Sequence, residues 1–153
     1  MLEKIDVKVK FLHPVWEECA LGHATPHSAG MDLRACIEED EIEIDPGQRA
    51  AVPAGIAIEI LRPGVAGFVY SRSGLGTKEG LTVSQGVGVI DPDYRGEIKV
   101  SLLNTSGQRR RIRRGQRIAQ LVFQPVFQAA VIPAEELGET DRGAGGFGHT
   151  GKK

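Results

Sequence analysis

Ile5-Asp-Val-Lys-Val-Lys-Phe11 alternates apolar and polar positions with a period of two, which predicts a strand with one buried face. Residues 13–30 break that pattern with Pro14, Gly22, Pro26 and Gly30 and read as a loop. Asp32–Ile37 resumes a strand, and Glu41-Ile-Glu-Ile-Asp45 alternates again before the turn Asp45-Pro-Gly47. Proline presets φ in such a turn and glycine relieves its strain. Ala54–Ile60 is a strand closed by Arg62-Pro-Gly64, and Val65–Tyr70 follows it. Ser71–Gly80 loses the alternation and has room for one short helical turn. Leu81–Val83 and Val87–Ile90 are short strands around a glycine bend, and Ile98–Leu102 leads into the turn Asn104–Gly107. Arg117–Phe123 is apolar enough for a fully buried strand, and beyond Pro125 the chain reads as an extended arm. No window keeps helical spacing over three turns, and no internal repeat is seen. Short strands with turn signals between them predict an all-β sandwich or barrel with at most one short helix.

Composition narrows this picture. The 153 residues suit one domain with one core. We divide it into a β-barrel over 1–125 and an arm with a glycine-rich end over 126–153. The formal net charge of −1 argues against a general polyanion binder. No apolar run is long enough for a membrane span, and Met1–Lys8 has no signal-peptide core. Cys19 and Cys36 stand in no CxxC spacing, so reduced thiols in the cytoplasm are expected, with a Cys19–Cys36 disulfide as the alternative.

Chemistry concentrates first at the C-terminal end. Asp141–Gly151 holds five glycines together with Arg142, Phe147, His149 and Thr150. Glycines let successive backbone amides close around an anion, an arginine fork matches phosphate geometry, and an aromatic ring offers a stacking face. The run reads as a lid over a nucleotide, against the alternative of a glycine-rich tail with no ligand. It lacks the Gly-Lys-Ser/Thr ending of a P-loop. Asp91-Pro-Asp-Tyr94 follows an apolar strand, where a carboxylate can orient a water or simply face solvent. Arg72-Ser73-Gly74 sets a guanidinium, a hydroxyl and a bare amide in series, either as an anion clamp or as a helix cap beside a surface charge. Asp32 could approach a divalent cation or cap a loop. His23 and His27 are four apart, but Pro26 between them forbids a zinc helix, and adding Cys19 and Cys36 leaves irregular spacings. Arg109-Arg-Arg-Ile-Arg-Arg-Gly-Gln-Arg117 is a basic run without interleaved aromatics. It reads as a solvated hairpin paired with carboxylates in preference to a nucleic-acid contact.

The order of these pieces is more specific than any one of them. Ala29–Ala35, Arg72–Leu75, Gly88–Glu97, Gly115–Gln120 and Arg142–Thr150 resemble the five motifs of the trimeric dUTPases over nearly the whole chain. The resemblance implies a distorted jelly roll of the β-clip type, assembled as a homotrimer with swapped C-terminal arms and active sites shared between subunits. It implies hydrolysis of dUTP to dUMP and pyrophosphate with Mg²⁺, which keeps uracil out of DNA and supplies dUMP for thymidylate. Asp91 then matches the carboxylate that activates the attacking water, and Tyr94 the ring that excludes a 2′-hydroxyl. Gly88, Val89 and Ile90 match the backbone that reads uracil. Arg72, Ser73 and Gly74 match the phosphate clamp, with Gln120 as a further phosphate contact. Asp32 matches the carboxylate linked to Mg²⁺ through water. Arg142, Phe147, Gly148 and Thr150 match the closing lid, with Phe147 stacked on uracil. No membrane or nucleic-acid partner is implied.

Ser71, Gly76 and Pro92 depart from the residues frequent at their positions in the family, and none removes a reacting group. Two other readings share the pattern. One is a dCTP deaminase of the same fold, and the other a non-catalytic jelly-roll binding protein.

Overall fold

A computed structural model describes residues 3–146. Phe147, Gly148 and Thr150 lie outside the described residues. The described residues form eleven strands: β1 (Val7–Phe11), β2 (Met31–Arg34), β3 (Glu41–Ile44), β4 (Arg49–Pro53), β5 (Ile56–Ile60), β6 (Val65–Ser71), β7 (Leu81–Val83), β8 (Gly88–Ile90), β9 (Lys99–Asn104), β10 (Arg110–Arg113) and β11 (Arg117–Pro125). All pairings are antiparallel, in the sheets β2-β11-β6-β8, β4-β9-β7, β1-β5 and β3-β10. The fold is an all-β distorted jelly roll.

The alternation seen in the sequence is what builds the core. Leu33, Ile44, Val52, Ile56, Leu81, Val100, Leu102, Ile112 and Leu121 are fully buried, and their chain neighbours on the strands face outward or are less buried in most cases. Burying one such aliphatic side chain contributes about 1.5–3 kcal/mol. Asn104 is the fully buried polar residue of the described core, and its amide ties three segments. Its Nδ2 donates to the Ile44 and Gln108 carbonyls, and its Oδ1 accepts from the Ser106 N–H and hydroxyl.

Three details correct the sequence reading. The allowance of one short helix becomes two turns: the expected one at Leu75–Glu79, wound as a π-helix, and a single α-helical turn α1 (Val15–Glu18). Pro14 opens α1 where its missing N–H costs nothing, and Trp16 anchors it by burying its ring and donating Nε1–H to the Ala54 carbonyl at 2.9 Å. Strand β4 went unread because Arg-Ala-Ala-Val-Pro has weak strand propensity; it stands at a sheet edge, where a terminal proline is tolerated. The arginine run is no local hairpin, since β10 pairs with β3 some 66 to 72 residues earlier, from Arg110 opposite Ile44 to Arg113 opposite Glu41. Arg109, Arg111 and Arg113 meet Glu41, Glu43 and Asp45 across that ladder.

Cys19 and Cys36 are both free thiols. Burial, with the Glu97 carboxylate adding to it, pushes the Cys36 thiol from 9.0 up to about 11. Among the described residues no helix is long and apolar enough to cross a membrane.

Candidate active site

The sequence-predicted residues gather in two clusters. The first forms where β8 leaves its sheet. β8 pairs with β6 on one side, with Gly88 opposite Val69, Val89 opposite Phe68 and Ile90 opposite Gly67. It is the last strand in its sheet, so its other edge keeps backbone N–H and C=O groups free for a ligand. That edge borders a cavity of about 250 Å³ lined by Gly88, Val89, Ile90, Asp91, Tyr94, Ile98 and the start of β9 from Lys99 to Ser101. Gly88 keeps this wall thin, because a Cβ there would sit 3.2 Å from the Val69 Cβ. Gln85 and Glu97 also line the cavity. The sequence pattern gave neither of them a role: Gln85 lies outside the five motifs, and Glu97 only closes one of them.

Asp91 opens a tight turn at the rim of this cavity. The Tyr94 N–H closes the turn on the Asp91 carbonyl at 3.0 Å. Arg95 folds back on the same turn, its Nη1 donating to the Pro92 carbonyl at 2.8 Å and the Tyr94 carbonyl at 3.1 Å. The Tyr94 hydroxyl donates to the Glu97 carbonyl at 2.9 Å, and the Glu97 carboxylate accepts the Gly55 N–H at 3.1 Å. The Tyr94 ring lies directly over Gly96, where a Cβ would fall 2.5 Å from its Oη. Pro92, which departs from the family's frequent residue, therefore sits in a turn already held by four hydrogen bonds.

The second cluster lies at the other end of the same sheet. Gln120 on β11 is in register with Asp32 on β2 and with Tyr70 on β6. The Gln120 amide donates to the Ser71 carbonyl at 3.2 Å, and its Oε1 occupies the space a Cβ on Gly30 would need. Arg72 Nε donates to Asp32 Oδ1 at 2.9 Å, and Arg117 Nη1 to Asp32 Oδ2 at 3.2 Å. The backbone turns helical at Ser73, with the Gly76 N–H bonded to the Arg72 carbonyl. The amides of Ser73, Gly74 and Leu75 precede the first closed turn, and a helix leaves such amides without an internal acceptor. Guanidinium, hydroxyl and amides thus collect in one place, as an anion clamp requires.

Arg142 lies on the arm. Its Nε donates to the Gly145 carbonyl at 2.7 Å, and it is exposed. Phe127, Val131, Ile132 and Leu137 on the same arm are almost wholly exposed. His23 engages the Gly30 carbonyl, and among the described residues no three His, Cys, Asp or Glu side chains converge on a metal position.

The two clusters are far apart within one chain. Ile90, next to Asp91, pairs with Gly67, whereas Arg72 lies five residues further along the chain, just past the end of β6. At a strand rise of ~3.3 Å per residue, that separation is roughly 17 Å.

A family model described as dUTPase matches residues 19–151. The chain is 48% identical over 155 residues to the deoxyuridine 5′-triphosphate nucleotidohydrolase of Cronobacter sakazakii, covering all of both chains. It is 45% identical over 150 residues to that of Desulfitobacterium hafniense, covering 98% of this chain and 99% of the relative. Among solved structures, the dUTPase of Staphylococcus bacteriophage 80alpha with dUpNHpp superimposes with a TM-score of 0.84 at 24% identity, covering 95% of this chain and 98% of that one. The dUTPase of Streptococcus mutans superimposes with a TM-score of 0.68 at 26% identity, covering 82% and 98%.

Proposed function

The chain belongs to the dUTPase family, and from this premise we propose that it hydrolyses dUTP to dUMP and pyrophosphate. The observation that carries the reading is the cavity beside the free edge of β8, with Asp91 at its rim. The uracil edge pairs with the backbone of Gly88–Ile90, whose alternating donors and acceptors match uracil and mismatch cytosine. The strand around Gly88, packed tightly on β6, would exclude the methyl group of thymine. Tyr94 packs against deoxyribose and excludes a 2′-hydroxyl. Asp91 accepts a proton from the water that attacks the α-phosphorus, the α–β bridging bond breaks, and pyrophosphate leaves with its electron pair. Arg72, Ser73, Gly74 and Gln120 hold the outgoing phosphates and neutralise their charge. Arg142, Phe147, Gly148 and Thr150 close over the nucleotide and exclude bulk water.

Asp91 and Arg72 are separated by roughly 17 Å of backbone, and β8 and β2 are opposite edges of one sheet. The separation of the clusters supports a site built from more than one copy, with Asp91 from one chain facing the clamp of another. The arm's exposed apolar residues, together with Phe68, Val122 and the exposed Val89 in one outward row of the main sheet, offer surface for such an assembly. We read it as a homotrimer with swapped arms over residues 126–153. Light scattering should give a mass of three chains, and a monomer would overturn the shared site.

Magnesium fits this site as a partner of the substrate. Both Asp32 oxygens already accept from guanidinium groups, but a carboxylate keeps further lone pairs for water, and Mg²⁺ retains much of its hydration beside one carboxylate and substrate phosphates. Asp32 would hold the ion through water, and the ion when bound neutralises phosphate charge. A dUTPase of phage phi11 of S. aureus is described with a structural Mg(II) ion. The free thiols, one of them buried and held protonated, suit a reducing cytoplasm. There the reaction would keep uracil out of DNA and supply dUMP for thymidylate.

The test is product analysis with dUTP, dTTP, dCTP and UTP offered separately in Mg²⁺. Cleavage of dUTP alone to dUMP and pyrophosphate is expected. Ammonia release from dCTP would move the protein to the deaminase reading, and no turnover of any of the four would favour a binding protein.

A further inference from the structure

Arg117 is aimed by a defect in its own strand. β11 pairs Arg117 with Arg34, Ala119 with Leu33 and Gln120 with Asp32, so Ile118 is an extra residue. Ile118 and Ala119 are both fully buried, so two consecutive side chains point inward and the flanking Arg117 and Gln120 both point outward. In an unbroken strand, residues three apart face opposite ways. The bulge therefore carries Arg117 onto the face of Asp32 and Gln120.

There the two guanidiniums divide one carboxylate between them. Arg72 takes Asp32 Oδ1 through Nε, and Arg117 takes Oδ2 through Nη1. The terminal torsion of an aspartate is broad, so a carboxylate held by one oxygen can still rotate. A second guanidinium on the other oxygen pins it. Arg72 commits only Nε to this pair, which leaves the donors of both terminal amino groups for another acceptor. The group of three carries one net positive charge.

We infer that Arg117 is a positioning residue for the phosphate clamp: it fixes Asp32, and Asp32 fixes the plane of the Arg72 guanidinium that meets the β- and γ-phosphates. This rests on the dUTP reading above. Its effect should fall on ligands that carry the outer phosphates and spare those that do not.

The experiment measures dissociation constants of dUMP and dUpNHpp by calorimetry in Mg²⁺ for the intact protein, Arg117→Gln, Asp32→Asn and the double variant. Arg117→Gln should weaken dUpNHpp by about ten-fold while dUMP changes by less than about two-fold, the scale of one charge-assisted contact. In the Asp32→Asn background, the Arg117 change should add less than about two-fold, because its route to Arg72 is already cut. Arg117→Lys keeps the charge without the fork, and partial recovery of dUpNHpp binding is expected. Equal binding of dUpNHpp by Arg117→Gln and the intact protein would overturn the inference. So would equal weakening of both ligands, or a full effect in the Asp32→Asn background, which would mean a direct phosphate contact. An intact protein that binds dUpNHpp no better than dUMP would instead overturn the dUTP reading itself.

Discussion

Gly96→Ala should damage catalysis without damaging the fold. A Cβ at Gly96 would lie 2.5 Å from Tyr94 Oη, 2.7 Å from Cζ and 3.1 Å from Cε2, whereas ordinary contact begins at 3.4 Å. The shortfall at Oη is about 0.9 Å, taken as 3.4 minus 2.5. The backbone at Gly96 is not in the left-handed region, so alanine brings no backbone strain there. Tyr94 is 44% exposed, so its ring can swing away, and the protein should lose less than about 1 kcal/mol of stability. The swing breaks the Tyr94–Glu97 hydrogen bond and moves the ring by nearly 1 Å from the sugar position. Misplacement on that scale can cost about 10²-fold, so kcat/KM for dUTP should fall by roughly 10- to 100-fold. Rejection of UTP should weaken at the same time. Tyr94→Phe is the companion, since it keeps the ring and loses only a hydrogen bond of about 1 kcal/mol, a cost near five-fold. Initial rates of pyrophosphate release with dUTP and UTP, beside a urea melt, measure all of this. A Gly96→Ala protein with unchanged kcat/KM and unchanged rejection of UTP would refute the role given to the ring.

Asp91→Asn should leave dUpNHpp binding largely intact and lower kcat by about 10²- to 10⁴-fold, the usual range for losing a general base; near-normal turnover would remove Asp91 from water activation. A chain ending before Arg142 should keep its melting temperature and lose most activity, because no buried core residue among those described lies in the arm. Asn104→Ala removes the acceptor and donors of four side-chain hydrogen bonds at a fully buried position, and should cost about 3–5 kcal/mol in a urea melt. Cys36, raised from 9.0 to about 11 in the fold, favours the folded state while protonated. Its contribution is complete below pH 9 and is lost as pH rises toward 11, so stability should fall across that window, and Cys36→Ala should flatten the fall.

Period-two alternation made most strands legible, because a half-buried strand writes its two faces directly into consecutive residues. It succeeded at β1 and β3, and failed at β4, where alanines carry too little strand signal. Asp91 and Arg72–Gly74 were legible as candidates, since residue types able to react or bind anions stand together in short segments. Asn104 read only as a turn residue, and its burial depends on strands that arrive from elsewhere in the chain.

The sequence by itself determined the all-β character, the order of the five motifs and the residues proposed to bind and cleave a nucleotide. Tertiary structure alone decided which of them meet. It pairs β10 with β3, brings Arg72 and Arg117 onto the two oxygens of Asp32, turns Arg117 outward through the bulge at Ile118, and sets Asp91 at the opposite end of β6 from the clamp. The reason is the range of the forces involved. Local residues set the backbone dihedrals of a strand, whereas its partner and register follow from burying apolar faces contributed by distant segments, and no window of sequence contains both sides of that contact.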